Sequence, residues 1–416
     1  MKKALGVLII GIVLTGILCL PATALAKGVI KIGTIATLEG AFAVLGQDGM
    51  RGVKLAMQQW NYTVAGKKIK LYTMSSDASP DSAIRAARKL VEQQKVDIVI
   101  GPLSGSEGIA VKDYAHTQPQ VTFFNGISAA QDTTLRNPAP NFFRFTTDGA
   151  QWMSGLGEYV VQVKGYKKIV TIAEDYAFPY TQVLGFLLGY CEAGGKVVER
   201  FWVPIGNKDY STIVASIPDD IDAIYVALGG ADAVNFLSQY AQAGGDKPLI
   251  GGSITADQSV LGSKGRRKTY MIGTPSAGPI ADSWDDPRWK KFVVEYKAAF
   301  PKGFPSPSLF CWGYYVSTQA CLTALKEVHG DLSNDQKAFR EALSKLELQT
   351  PSGVVRLDQN RQAIANIFLT EIVEGKDGNL YNKVIKIIPQ VNQTLGWDRD
   401  KFLALGQVGR NNPPCK

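Results

Sequence analysis

Val96-Asp97-Ile98-Val99-Ile100-Gly101-Pro102-Leu103-Ser104-Gly105-Ser106-Glu107-Gly108 decides the fold. Residues 96–100 form a short, nearly continuous apolar run, the mark of a strand buried on both faces. Gly101, Pro102 and Gly105 then break the run, and a helical pattern follows over 108–117. A doubly buried strand that turns directly into a helix is half of a βαβ unit, whose sheet is parallel and covered by helices on both faces.

The same alternation extends both ways. Upstream, Val29–Ile35 reads as a strand, Gly46–Trp60 as a helix, Lys68–Met74 as a strand and Asp81–Gln94 as a helix; downstream, Val121–Phe124 is another strand. After a break at Arg136-Asn137-Pro138-Ala139-Pro140 the pattern restarts. Phe142–Phe145 is extended and 148–163 helical. Strands at Lys168–Ala173, Lys196–Val203 and Ile221–Ala227 alternate with helices at Tyr180–Ala193, Tyr210–Ile217 and Asp232–Ala243. Leu249–Ile250 and Tyr270–Ile272 read as short strands. From residue 285 the chain turns helical (285–299, 308–328, 335–346), then ends in strand-like pieces at Val354–Leu357, Ile364–Val373 and Lys383–Ile388. Two α/β blocks mean two sheets and two lobes. A tail that completes both lobes creates several connecting strands, and hence a hinge.

At roughly 150 residues per domain, 416 residues allow two or three domains. Two histidines, His116 and His329, are too few and too far apart for most zinc sites, Ser-His-Asp triads or histidine relays. The five cysteines contain no CxxC pair. No catalytic cluster, metal site or cofactor is expected. Lys2 and Lys3, the apolar run 4–20 and Ala24-Leu25-Ala26 read as a secretory signal cut after Ala26; the run is shorter than the roughly 20 residues of a membrane anchor. Losing Lys2 and Lys3 takes the net charge from +8 to +6. The basic residues are scattered, and their densest cluster, Lys264, Arg266, Arg267 and Lys268, reads as a solvated loop, so no nucleic-acid partner is expected. Cys311 and Cys321 lie ten residues apart near one helix, about 15 Å along its axis and too far for a disulfide there. Buried free thiols are the expectation, with a Cys191 bond to another cysteine left open.

In open α/β sheets, ligands sit beyond the carboxyl ends of the strands. The loops to read are therefore 36–46, 101–108 and 125–130 in the first block, and 174–179, 228–232 and 251–255 in the second. Residues 105–108 open a helix, whose free amides form an anion site. Ser104 or Ser106 either adds a hydrogen bond to such an anion or simply caps the helix. Aromatics at 176 and 178 either wall in a ligand or pack the core, and Asp232 reads as a helix cap.

With these residues the chain resembles the solute-binding proteins of ATP-driven importers for branched-chain amino acids and related compounds. The resemblance rests on Ile32-Gly33, on Gly40 through Gly46, on Val99-Ile100-Gly101-Pro102-Leu103-Ser104-Gly105-Ser106, on Ala173-Glu174-Asp175-Tyr176-Ala177-Phe178 and on Asp222-Ala223-Ile224-Tyr225. It implies a type I periplasmic binding protein fold: two Rossmann-like lobes, each a mostly parallel sheet flanked by helices, joined by a three-strand hinge. The expected lobes are 27–147 with 276–350, and 148–275 with 351–416. The resemblance also implies ligand contacts from Phe42, Ser104, Gly105, Ser106, Ile127, Ser128 and Ala129 on one lobe, and from Glu174, Tyr176, Phe178, Gly230 and Ser253 on the other. The serines would hold a carboxylate and Phe178 or Tyr176 would pack on the ligand. Position 253, acidic in leucine binders, is serine here, and the two positions of a first-lobe disulfide found in some members are Ala78 and Ser104. The expected function is capture of a small carboxylate by a periplasmic, monomeric binding protein that serves an ABC permease in the inner membrane. An apolar or aromatic body with an optional amine fits the missing acid. The alternative ligand is an aliphatic amino acid or amide whose ammonium meets Glu174 or Asp175. Alternative functions are a sensor of the same fold and a periplasmic enzyme with paired carboxylates.

Overall fold

The computed structural model describes residues 28–262 and 267–415. The expected signal segment and its cut after Ala26 lie outside the described residues, as do Lys264 and Arg266.

The first block comprises β1 (Val29–Thr37), α1 (Ala43–Gln59), β2 (Thr63–Val64), β3 (Lys67–Ser76), α2 (Pro80–Arg88), β4 (Ile98–Ile100), α3 (Gly105–Ala115), β5 (Thr122–Phe124) and β6 (Phe142–Phe143). Among the described residues these strands pair in the order β2-β3-β1-β4-β5-β6, all parallel except β2 with β3. The second block runs through α4 (Gly149–Trp152), α5 (Leu156–Gln162), β7 (Lys168–Glu174), α6 (Ala177–Glu192), β8 (Lys196–Val203), α7 (Ser211–Ala215), β9 (Ala223–Ala227), α8 (Gly230–Gln242), β10 (Leu249–Gly251), α9 (Gln258–Leu261), α10 (Arg267–Met271) and β11 (Pro275–Gly278).

The chain then returns to the first sheet with α11 (Pro287–Ala299), α12 (Leu309–Glu327) and α13 (Ser333–Lys345). Helix α12 packs along α1, and Arg340 of α13 donates to Thr122 Oγ1 of β5 at 2.9 Å. A last crossing brings β12 (Leu348–Thr350), β13 (Gly353–Leu357), β14 (Ala363–Glu374), β15 (Leu380–Val391) and α14 (Arg399–Leu403). The second sheet is ordered β12-β13-β14-β11-β10-β9-β7-β8, with β15 on β14. The result is a type I periplasmic binding protein fold: two lobes joined where the chain passes between sheets after β6, after β11 and after α13.

Several expectations shift for local reasons. The helix expected from residue 108 begins at Gly105, because Ser104 and Glu107 form a reciprocal cap: Glu107 N donates to Ser104 Oγ at 3.3 Å and Ser104 N to Glu107 Oε2 at 2.8 Å. The single helix expected over 148–163 is two, α4 and α5, split where Gly155 adopts a left-handed conformation (φ +79°) open mainly to glycine. Tyr270 lies in helix α10 rather than a strand, its ring against Tyr240 of α8. The place beside β10 is filled by β11, so the second sheet extends to Gly278, past the residue-275 limit read from sequence. The expectation of free thiols holds for Cys311 and Cys321, both buried, but Cys191 and Cys415 are joined in a disulfide. That bond ties the chain's end to α6 across 224 residues of sequence.

The first crossing is held by a buried charge. Arg144 and Asp148 are both fully buried and pair at 3.4 Å. Arg144 also donates to the Ala130 carbonyl (2.7 Å), to Thr134 Oγ1 (2.6 Å) and to Gln362, which lies just before β14. Gln393 donates to Asp148 Oδ2 at 2.9 Å. Burial pulls the guanidinium down to about 10, against the opposing effect of Asp148. Breaking a buried pair from one side leaves an uncompensated charge. Arg144→Met is therefore expected to cost about 3–5 kcal/mol of stability, read as a lower urea midpoint. An unchanged midpoint would show that the network does not brace the crossing.

Candidate functional site

In each sheet the parallel strands run so that their carboxyl ends, and the starts of the helices that follow, lie on one edge. The two edges face each other. Four helices from both lobes begin around the cleft between them: α3 at Gly105, α6 at Ala177, α8 at Gly230 and α12 at Leu309. The first amides of a helix have no partner within it and carry partial positive charge.

The lobes are in contact across this cleft. Ala177 N donates to Ser106 Oγ at 3.4 Å, and Gln131 N to Thr181 Oγ1 at 3.1 Å. Phe178 packs onto Gly105 so closely that a Cβ there would lie 2.7 Å from its own Cβ. Gly230 lies against the Ala41 carbonyl. The rings of Phe42 and Tyr176 meet at 6.1 Å, as do those of Tyr176 and Phe178, and Trp152 stands edge-on to Phe178 at 5.6 Å.

These contacts enclose an apolar slot. Phe42, Ile127, Ala129, Tyr176 and Phe178, all expected from sequence, line it together. So do Leu45, Leu103 and Ile254, which lie in loops read from sequence but were not named as contacts, and Trp152, Leu309 and Phe310, which the sequence reading missed. The slot is tight, a cavity of about 20 Å³, and a wider opening of about 320 Å³ adjoins it at Ser106, Ala130, Tyr176 and Tyr180. A larger concavity, about 910 Å³, lies on the second lobe between α5, α6 and β15. It is broad and none of the four helix starts opens into it, so its size does not mark it as the site.

The polar residues divide. The Ser104 hydroxyl is committed: it accepts from Glu107 N and donates to the Ala78 carbonyl at 2.9 Å, so it has no hydrogen left for a ligand. Ser128 Oγ is buried without a partner but packs against Gly108 of α3. Ser106 stands at the junction of slot and opening. Ser253 accepts from Gln182 Nε2 at 2.6 Å and faces a separate small cavity with Asp257 and Asp282.

The acids of the cleft lack cations. Glu174 is fully buried; Oε1 accepts from Gly229 N at 2.7 Å and Oε2 has no partner. Burial holds its carboxyl well above the usual range, the Gly229 amide partly offsetting this and the Asp232 charge adding to it. Burial also raises Glu107. Asp232, expected as a cap, is not one: the cap position is Gly229, and Asp232 Oδ2 accepts from Gly206 N at 2.8 Å. Burial pushes it up to about 6. Asp175 is turned away, bonded by Arg410 Nε at 2.9 Å and by Tyr180, and the Arg410 contact holds it below the usual range. Among the described residues, no group of three or more histidine, cysteine or carboxylate side chains is gathered as a metal site.

Comparison with known proteins agrees with this architecture. A family model described as periplasmic binding protein matches residues 29–379. Leu/Ile/Val-binding protein homolog 6 of Brucella melitensis is 26% identical over 381 residues, covering 88% of this chain and 93% of that protein. Two solved structures cover 88% of the chain: an ABC transporter substrate-binding protein from Sphaerobacter thermophilus (27% identity, TM-score 0.78, 99% of that chain) and a solute-binding protein of an ABC transporter from Rhodopseudomonas palustris BisB5 in complex with 3,4-dihydroxybenzoic acid (26%, 0.80, 98%). With the match running from the first strand into the turn after β14, the chain belongs to the periplasmic binding protein family.

Proposed function

We propose that the chain is the extracytoplasmic substrate-binding protein of an ABC importer, and that it captures a small carboxylate with an apolar or aromatic body by closing its lobes over it. The observation that carries this reading is the slot: side chains without formal charge line it, and helices of both lobes begin around it. Apolar walls take the body, and the first-turn amides left free by the caps and cross-lobe contacts take the anionic end. Serine at position 253, itself hydrogen-bonded by Gln182, supplies no charge for an ammonium. The likeness to a protein solved with an aromatic acid points the same way.

One observation favours a second ligand. The unpartnered Glu174 Oε2 offers an acceptor that an amino acid's ammonium could meet, whereas Asp175 is already taken by Arg410 and Tyr180. Calorimetry separates the two readings by comparing leucine and phenylalanine with their 2-oxo acids, and with benzoate and 3,4-dihydroxybenzoate. The amine-free acids are expected to bind at least as tightly as the amino acids. Tight binding of the amino acids alone would overturn the proposal, and Glu174→Gln would then abolish their binding.

The two serines of the α3 start are expected to behave differently. Ser104→Ala removes a cap and should lower stability by about 1 kcal/mol with affinity nearly unchanged. Ser106→Ala removes a hydroxyl that joins the lobes at the mouth of the slot. It should weaken binding roughly 5- to 10-fold, at about 1 kcal/mol for one hydrogen bond, with stability nearly unchanged. Thermal melts and calorimetry on both variants check this; the reverse pattern would place the anion at Ser104.

A further inference from the structure

Asp257 does something no other acid of the cleft does: it caps a helix in each lobe. Its Oδ1 accepts from Ser259 N at 2.9 Å, in the first turn of α9 in the second lobe. Its Oδ2 accepts from Leu309 N at 2.7 Å, the first residue of α12 in the first lobe. The side chain is buried, and Leu309 and Phe310 line the apolar slot.

The charged and titratable groups around it offer no counter-charge. Helix α1 contributes Asp48, which is paired with Arg51 at 2.7 Å and accepts from Tyr296 of α11 at 2.6 Å and from Ser308. Helix α12 contributes Cys311, and the segment after β11 contributes Asp282, which shares a small polar cavity with Asp257. Arg51, the nearby cation, is already committed to Asp48, and Asp257 forms no ion pair among the described residues. Opening the lobes would part Asp257 from Leu309 and return its carboxylate to water.

We propose that Asp257 is the positioning residue that latches the closed form: it docks the start of α12, and with it Leu309 and Phe310, onto the second lobe. The latch rests on the closure reading above but not on the identity of the ligand. Burial raises this carboxyl to about 7, the Leu309 and Ser259 hydrogen bonds partly offsetting and the Asp48 charge adding. An acid that is higher when closed than when solvated binds a proton on closing. Its contribution to closure is therefore complete at low pH and is lost as pH rises through about 7. With about 7 closed and 3.8 when solvated, the closed-to-open ratio should rise about 20-fold from pH 7.5 to pH 5.5. Glu107, Glu174 and Asp232 shift in the same direction, so only the difference between wild type and a variant at 257 isolates this residue.

The test is pulsed electron spin resonance on the full chain without ligand. Labels go on cysteines placed at exposed Gln47 and Lys208, one on each lobe, while Cys311 and Cys321 stay buried and unlabelled. Wild type is expected to raise its closed-to-open ratio at least about 20-fold from pH 7.5 to pH 5.5. Asp257→Asn keeps an acceptor for Leu309 but cannot titrate, so its pH response should be about 20-fold smaller than that of wild type. Asp257→Ala should be more open at both pH values, with its melting temperature showing that it is folded. The same pH response in Asp257→Asn as in wild type, or no response in wild type, would overturn the proposal. A wild-type pH response that Asp257→Asn loses, in a protein that binds none of the acids tested by calorimetry, would leave the latch standing and sink the ligand reading instead.

Discussion

Everything in the cleft depends on one geometric constraint: a parallel strand followed by a helix puts the strand's carboxyl end and the helix's free amides on the same edge. Repeated in two sheets that face each other, it gathers four helix starts around one slot. No single loop makes the site. Phe42 and Leu103 follow strands of one sheet, Tyr176 and Ile254 follow strands of the other, and only the meeting of the lobes turns them into walls. The hinge is stiffened by the same economy of placement, since Arg144 ties the loop that carries Ile127 and Ala129 to the crossing at Asp148 and to Gln362.

The second constraint is electrostatic. Helix starts favour anions, yet Glu107, Glu174, Asp232 and Asp257 are buried near those starts without cationic partners. Burial raises all four carboxyls, which disfavours their charged forms beside an anionic ligand. Moving a two-state equilibrium from mostly open to mostly closed needs about 5.5 kcal/mol of differential affinity, and micromolar binding supplies about 8 kcal/mol.

Much of this was legible in the sequence because the signals are local. Continuous apolar strands such as 98–100 announce a parallel sheet, and aromatics directly after a strand, such as Tyr176 and Phe178, leave a choice between a wall and the core. What stayed hidden depends on distant returns of the chain. Leu309 and Phe310 reach the slot only because the segment after β11 crosses back to the first lobe. Asp257 lies outside the loops read from the sequence, and its second contact forms only because Leu309, 52 residues on, meets its other oxygen. Arg144 meets Gln362 across 218 residues, and the Cys191–Cys415 bond spans 224. Ser104 shows the converse: its place at a helix start carries both a cap and a ligand contact in prospect, and only the hydrogen bond to Ala78 shows where its proton goes.

The central claim is that the slot between the lobes holds a small apolar or aromatic acid. The most direct measurement is mass spectrometry, under native conditions and then after denaturation, of the small molecule carried by protein exported and purified without added ligand. The account predicts a one-to-one complex with a low-mass carboxylic acid bearing an aromatic or branched apolar body. Release of a sugar, a polyamine or a peptide in that stoichiometry would contradict it.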